Sequence, residues 1–542
     1  MKIRAFLNIF GTLLRILGLL MLIPCVVAAT YGEISSIIAF AIPAFFTWLL
    51  GIALEQFGDY EVLGNREGFA LVAFGWLGAA ILGSLPYIFL GLNPVDALFE
   101  SMSGFTTTGA TILTESGSQG YWLLNSTAAD QSLASNISGM LSGIILGNAT
   151  IASNISLESN ITSFTFFNKL AMMAAEEETY YALLFWRSFT QWIGGMGIIL
   201  LFIAILPKLG VAGRQLFKAE VPGPTEDLIR PRIRETAKVL WKVYLVLTGI
   251  EIVLLVLAGM PLYDSICNTF STMACGGFSP MAKSISAYNK PIVEYIIILF
   301  MFLAGANFAL HYRMMYADKK SLVVDPEFRF YSLIIVISVF TILLFGNFGM
   351  LSEDGLRAVA FQVVSIITTT GFTTANYDLW PTAAKLVLFI LVFIGGCAGS
   401  TAGGMKVVRV LLVLKLTHRE LIQSLHPKAV MPIILGENPV KEDISRSILT
   451  FIALYLLIFS FASVTLASFG ALSGSDGDIV GTTSAVAVTL GNVGPGFGDV
   501  GPTKDFSGIC PLGKLVLVGC MWVGRLEILT VLVLLLPDFW KR

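Results

Sequence analysis

Charge is scarce in this chain, and so are the groups on which soluble enzymes rely. Only 13% of its 542 residues are Asp, Glu, Lys or Arg, where a globular domain carries roughly 25%. The three histidines, His311, His418 and His426, form no metal-ligand pattern, and no nucleophile has a base at motif spacing, so covalent chemistry is not expected. Six cysteines (Cys25, Cys267, Cys275, Cys397, Cys510 and Cys520) include no C-x-x-C pair and lie mostly in apolar segments, which argues against a metal site or disulfide framework. A net charge of -2 without a long basic run argues against nucleic acid as a partner.

What the chain has instead is apolar length. Hydrophobic residues make up 56% and the mean hydropathy is +0.80, the composition of a polytopic membrane protein. Stretches able to cross a bilayer run at 5–28, 35–55, 68–91, 182–206, 236–260, 292–315, 327–350, 382–416, 445–472 and 511–538. The first resembles a secretory signal, but Arg15 within it and the span directly after it favour a retained helix. Lys and Arg gather in the loops at 207–235, 313–320 and 415–441, while between 92 and 181 the only such residue is Lys169. The positive-inside rule then puts both termini in the cytosol.

Between these spans lie four stretches of a different kind. Thr368-Thr369-Thr370-Gly371-Phe372 is closely repeated by Thr106-Thr107-Thr108-Gly109-Ala110, and loosely by Ala274-Cys275-Gly276-Gly277-Phe278 and Gly491-Asn492-Val493-Gly494-Pro495. Each follows a short apolar segment and precedes a full span, a pattern of helix, short helix, loop, helix that recurs four times. Irregular backbone is tolerated at membrane depth only where it is buried in protein or lines a watery cavity. Glycine lets successive carbonyls turn inward, and a ring of carbonyls replaces the hydration shell of a cation. One such turn would read as a hairpin between helices; four in register point to a pore. Asp96, Asp264, Asp354 and Asp478 stand thirteen to seventeen residues before these glycines, where they are expected to cap the short helices.

Two further features interrupt spans. Gly395-Gly396-Cys397-Ala398-Gly399-Ser400-Thr401-Ala402-Gly403-Gly404 places five glycines in ten residues, which would cost a continuous helix about 5 kcal/mol relative to alanine. The helix is expected to break there; close helix packing through small residues is the alternative. Arg525 lies near the middle of the last span, where a charge is normally turned to a cavity or a partner. Glu527, two residues on, faces elsewhere. Arg187 and His311 read as structural residues near span ends, and Glu251 sits mid-span without an evident partner.

Together with Arg187-Ser188-Phe189-Thr190-Gln191-Trp192-Ile193-Gly194-Gly195-Met196-Gly197, Gly305-Ala306-Asn307-Phe308-Ala309-Leu310-His311-Tyr312 and Gly213-Arg214-Gln215-Leu216-Phe217-Lys218-Ala219-Glu220, these loops resemble the membrane subunit of the Trk/Ktr/HKT superfamily of potassium transporters, of the TrkH/TrkG type. The resemblance implies an all-α polytopic membrane protein of about ten transmembrane helices, with two leading helices (1–60) and four pseudo-repeats at 61–210, 211–320, 321–430 and 431–542 around one pore. It makes Gly109, Gly277, Gly371 and Gly494 filter glycines, and with them Thr107, Thr108, Cys275, Gly276, Thr369, Thr370, Asn492 and Val493 the expected ion-binding residues, for potassium as substrate and with no bound cofactor. Members with serine at the first glycine tend to conduct sodium, so Gly109 points to potassium, whereas Cys275 departs from the usual threonine. It further implies a gate formed by the loop bearing Gly395, Gly396, Gly399, Ser400, Thr401, Gly403 and Gly404 with Arg525 beneath the filter. Expected partners are a second copy in a homodimer and a cytosolic, nucleotide-binding, TrkA-like regulatory subunit, docking near Arg419, His426, Lys428 and the 207–235 loop.

The segment at about 115–178 departs from that family pattern. It carries acceptor triplets at Asn125, Asn136, Asn148, Asn154 and Asn160, which permit glycosylation on the outer side in a host with the machinery. The main rival to the pore is a secondary transporter of a small organic solute with broken helices at the midplane. A membrane-embedded enzyme is a third, for which no catalytic cluster is found.

Overall fold

A computed structural model describes residues 2–58, 64–115, 122–123, 180–197, 233–316, 318–346, 352–428, 431–436, 438–440, 442–469 and 479–541. Their regular structure is helical apart from two two-residue ladders, Thr114–Glu115 with Trp122–Leu123 and Ile434–Leu435 with Asn438–Pro439. The five acceptor asparagines and the 207–232 loop lie outside the described residues.

Six described helical stretches are long and apolar enough to cross a bilayer, and two bent pairs qualify if each is taken as one span. The chain is a multi-pass membrane protein. Its leading stretch Ile3–Tyr31 packs along Ile34–Gln56 at very close range, because Gly11 and Gly18 face the backbone of Gly51 and Ala44. Small residues let helix backbones approach where lipid offers no hydrophobic drive. Arg15, in the middle of that first stretch, reaches Glu55 at 2.7 Å.

The remainder repeats four times. Outer helices Asn65–Gly83, Ile233–Leu257, Pro326–Phe345 and Glu442–Ser468 are followed by short helices Pro94–Phe105, Leu262–Ala274, Glu353–Ile367 and Ile479–Leu490. After each glycine loop comes an exit helix, beginning at Tyr181, Pro291, Thr382 and Pro511. Proline opens two of these exit helices, at Pro291 and Pro511, where its missing N–H would be unbonded anyway. The short helices are buried along most of their length, whereas the outer helices expose apolar side chains such as Val253, Phe340 and Phe461, as lipid-facing surfaces do.

Two expectations need correction. The three described aspartates lie in the first turn and are not the N-caps: Asn93 caps the first short helix by accepting Val95 N at 3.1 Å, while Asp96 and Asp354 pair with Lys514 (2.6 Å) and Arg357 (2.7 Å). Asp264 likewise lies in the first turn, behind Pro261 at the cap, and Asp478 is outside the described residues. The spans at 292–315 and 511–538 are not straight: they bend by 97° and 108° at Gly305–Asn307 and Leu526–Ile528. The 382–416 segment breaks where its glycines stand, between Thr382–Ile394 and Val407–Leu425.

Candidate functional site

At the end of each short helix the backbone turns by the same recipe. The residue two before each glycine is left-handed: Thr107 at φ 54°, Cys275 at 55°, Thr369 at 56° and Asn492 at 54°. The glycines themselves follow at 81°, 77°, 80° and 100°. The residue between donates its N–H to the carbonyl five positions back: Thr108 to Ser103 (2.9 Å), Gly276 to Ser271 (2.8 Å), Thr370 to Ser365 (2.9 Å) and Val493 to Val488 (2.8 Å). Alternating the sign of φ turns successive peptide dipoles the same way.

The four loops close on one another in chain order. A Cβ on Gly109 would collide with the Gly276 carbonyl, one on Gly277 with that of Thr370, one on Gly371 with that of Val493, and one on Gly494 with that of Thr108. Each loop therefore forms the wall of the next, and the fourth returns to the first. Glycine is required at these positions twice over, by the left-handed backbone and by the carbonyl where a side chain would begin. All twelve residues singled out from sequence, from Thr107 to Gly494, are brought together in this ring. Ten of the twelve are buried, and Gly109 and Gly277 are half-buried.

Behind the ring the repeats are braced differently. Ser103 and Ser365 donate to the carbonyls of Ala110 (2.6 Å) and Phe372 (2.7 Å), and the hydroxyls of Thr106 with Thr108 and Thr368 with Thr370 meet at 2.8 Å. Asn492 donates to Thr108 Oγ1 (2.9 Å) and to the Met521 carbonyl (3.1 Å). Arg187, expected near a span end with its head in water, is instead 1% exposed; it pairs with Glu100 at 3.1 Å and lies 4.1 Å from the centre of the Phe278 ring. Glu100 also accepts from Thr111 and Ile112, tying the first loop to the first exit helix. His311 is likewise buried, its ring nitrogen 2.8 Å from the Leu303 carbonyl.

The glycine-rich break packs against the ends of the short helices. Thr401 donates to the carbonyls of Met273 (2.9 Å) and Ala304 (3.2 Å) and lies 3.1 Å from Cys275 Sγ. Gly403 N donates to Thr369 Oγ1 at 2.6 Å, and Gly403 fits against the Gly491 carbonyl and Asn492 Cβ. Cys397 N reaches the Gly305 carbonyl (2.9 Å), and Phe308 N the Gly399 carbonyl (3.1 Å). Gly395 and Gly404 meet where the break begins and ends. The break thus touches the second, third and fourth repeats, and Arg525 extends it to the first by donating to the carbonyls of Thr401 (2.9 Å), Gly194 (2.8 Å) and Gly195 (2.9 Å).

Other residues at this break were not singled out by sequence. One oxygen of Glu327 accepts from Ala398 N (2.7 Å) and Val408 N (3.2 Å), clamping both limbs. Lys406, buried, donates to the Ala402 carbonyl, and Arg409 pairs with Glu527. Their partners lie up to 118 positions away, beyond any local spacing rule. Among the described residues no group of three or more His, Cys, Asp or Glu could hold a metal ion; the ring itself carries backbone carbonyls and the hydroxyls of Thr107, Thr108, Thr369 and Thr370, beside the Cys275 thiol and the Asn492 carboxamide.

Comparison with known proteins agrees with this architecture. Residues 156–541 match the family model for TrkH, described as a cation transport protein. The chain is 36% identical to the Trk system potassium uptake protein TrkH of Salmonella typhimurium, over 100% of both chains. It is 30% identical to the Trk system potassium uptake protein TrkG of Escherichia coli, over 99% of both. The crystal structure of the potassium transporter TrkH from Vibrio parahaemolyticus matches with a TM-score of 0.77 and 32% identity, covering 100% of each chain.

Proposed function

Since this chain belongs to the TrkH family of cation transport proteins, and is therefore a membrane transporter rather than an enzyme, we propose that it takes potassium into the cell through the ring of four glycine loops. The observation that carries this reading is the closed circuit of Gly109, Gly277, Gly371 and Gly494, each seated on the carbonyl before the next glycine. Carbonyls converging from four sides replace the hydration shell of a potassium ion. The short helices end at the ring, so their negative dipole ends favour a cation there.

On this reading the 395–404 break is the gate. It fills the space under the ring, and Arg525 holds it with a fixed positive charge that raises the barrier to cations. Opening requires the break to leave Met273, Ala304 and Thr369. The energy would come from a cytosolic nucleotide-binding regulatory subunit of a multi-component system, acting on a homodimer of this chain whose termini are both cytosolic, in the cell membrane.

Rubidium uptake into sealed liposomes bearing the purified chain, driven by a potassium gradient and compared with sodium and choline gradients, tests the reading. Rubidium uptake well above that under sodium is expected, and Gly109→Ser should shift the preference toward sodium. No cation flux even after deletion of Gly395 to Gly404 would return the chain to the class of solute transporters.

A further inference from the structure

The second loop is the odd member of the ring. Where the other three carry Thr108, Thr370 and Val493, it carries Gly276. The backbone does not demand glycine there, because Gly276 is absent from the left-handed positions. Space does: a Cβ at 276 would fall inside the carboxamide of Gln191, which comes from the exit helix of the first repeat. That carboxamide donates through Nε2 to the Gly276 carbonyl at 2.6 Å and accepts from Phe278 N at 3.1 Å, and Gln191 is fully buried. It therefore grips the loop on both sides of Gly277.

A second observation is independent of that contact. In the first and third loops a serine six positions before the glycine donates to the carbonyl just after it, as Ser103 does to Ala110 and Ser365 to Phe372. Ser271 holds the same position in the second repeat, yet its buried hydroxyl makes no hydrogen bond among the described residues. The hydroxyl pairs made by Thr108 and Thr370 also have no counterpart at Gly276. The second loop has lost both of its own braces.

We propose that Gln191 is a specificity-determining positioning residue: its carboxamide replaces the side chain that Gly276 lacks and aims the Gly276 carbonyl into the ring. The proposal rests on the potassium-pore reading and deepens it. The Gly276 carbonyl is also the atom on which Gly109 sits, so Gln191 sets the geometry of the contact between the first and second repeats.

The test is rubidium and sodium uptake by liposomes holding the full-length chain as wild type, Gln191→Ala, Gln191→Met, Gly276→Ala and the double variant Gln191→Ala with Gly276→Ala. Losing the two bonds should lower the rubidium-to-sodium ratio about tenfold in Gln191→Ala. Gln191→Met, which keeps the volume without the bonds, should lose the ratio while keeping a near-native melting temperature. Gly276→Ala alone should lose flux, since its methyl meets the carboxamide, and the double variant should recover flux but keep the low ratio of Gln191→Ala, since both bonds are still missing. A wild-type ratio in any folded variant lacking Gln191 would overturn the proposal, as would a folded double variant with no more flux than Gly276→Ala. If the wild-type chain itself does not prefer rubidium to sodium, the potassium reading fails first and this inference falls with it.

Discussion

The repeats depart from regular helix in the loop after each short helix and, in the second, third and fourth, at a break in the exit helix, and the two departures obey different rules. The loops agree closely: four left-handed residues at φ 54° to 56°, each two positions before its glycine. The breaks disagree. Those at Gly305–Asn307 and Leu526–Ile528 span three residues, whereas the third repeat's runs from Gly395 to Lys406. A ring closed by mutual contact tolerates little variation, because every loop is also its neighbour's wall. The breaks carry no such closure. One of them could lengthen, turn inward and become a separate element without disturbing the other two.

If closure is what holds the loops alike, the ring should fail as a unit. Gly371→Ala should reduce rubidium uptake to that of empty vesicles, the largest effect expected of any single change here. The left-handed backbone alone costs a non-glycine residue about 1–2 kcal/mol, and the added methyl also meets the Val493 carbonyl. Uptake near the wild-type rate in that variant would show that the loops are not coupled walls.

The long break should respond in the opposite direction. Glu327→Gln weakens two charge-assisted bonds to Ala398 and Val408, each worth about 1.5–3 kcal/mol, and basal rubidium flux should rise about tenfold as the break loosens. Arg525→Gln should raise flux by less, since the shorter amide retains some of the hydrogen bonding to Thr401, Gly194 and Gly195. A fall in flux with unchanged melting temperature in either variant would mean that the break supports the ring instead of obstructing it.

The same contrast governs how much could be read from the sequence. The loops were legible because left-handed backbone beside a carbonyl selects glycine within a five-residue window, and four windows recur. The third break was legible because five glycines crowd ten positions. The bends at 305–307 and 526–528 were not, since each interrupts an apolar run for three residues and leaves its hydropathy intact. Arg187 was misplaced for a different reason. Its partner Glu100 is 87 positions distant, and a burial that depends on such a partner leaves no trace in local pattern. Gln191 lay inside a stretch already marked by resemblance, but only the missing space at Gly276 shows what it does.

The third repeat's divergence either ends at the loop or includes the helix that follows, and one exposed ion pair distinguishes the two. Val407–Leu425 is tied to the fourth repeat at its far end by Arg419, which reaches Glu442 at 2.7 Å. Glu442 is largely exposed, so the pair contributes at most about 1 kcal/mol and is weakened by salt. If the loop alone moves, Glu442→Gln should leave rubidium flux and its salt dependence unchanged. If Val407–Leu425 swings with the loop, the same variant should raise basal flux by up to about fivefold at low ionic strength, and the rise should fade as salt screens the pair in the wild type. Flux measured at two ionic strengths separates a hinge at Lys406 from a moving helix, because only the second strains a contact beyond the helix itself.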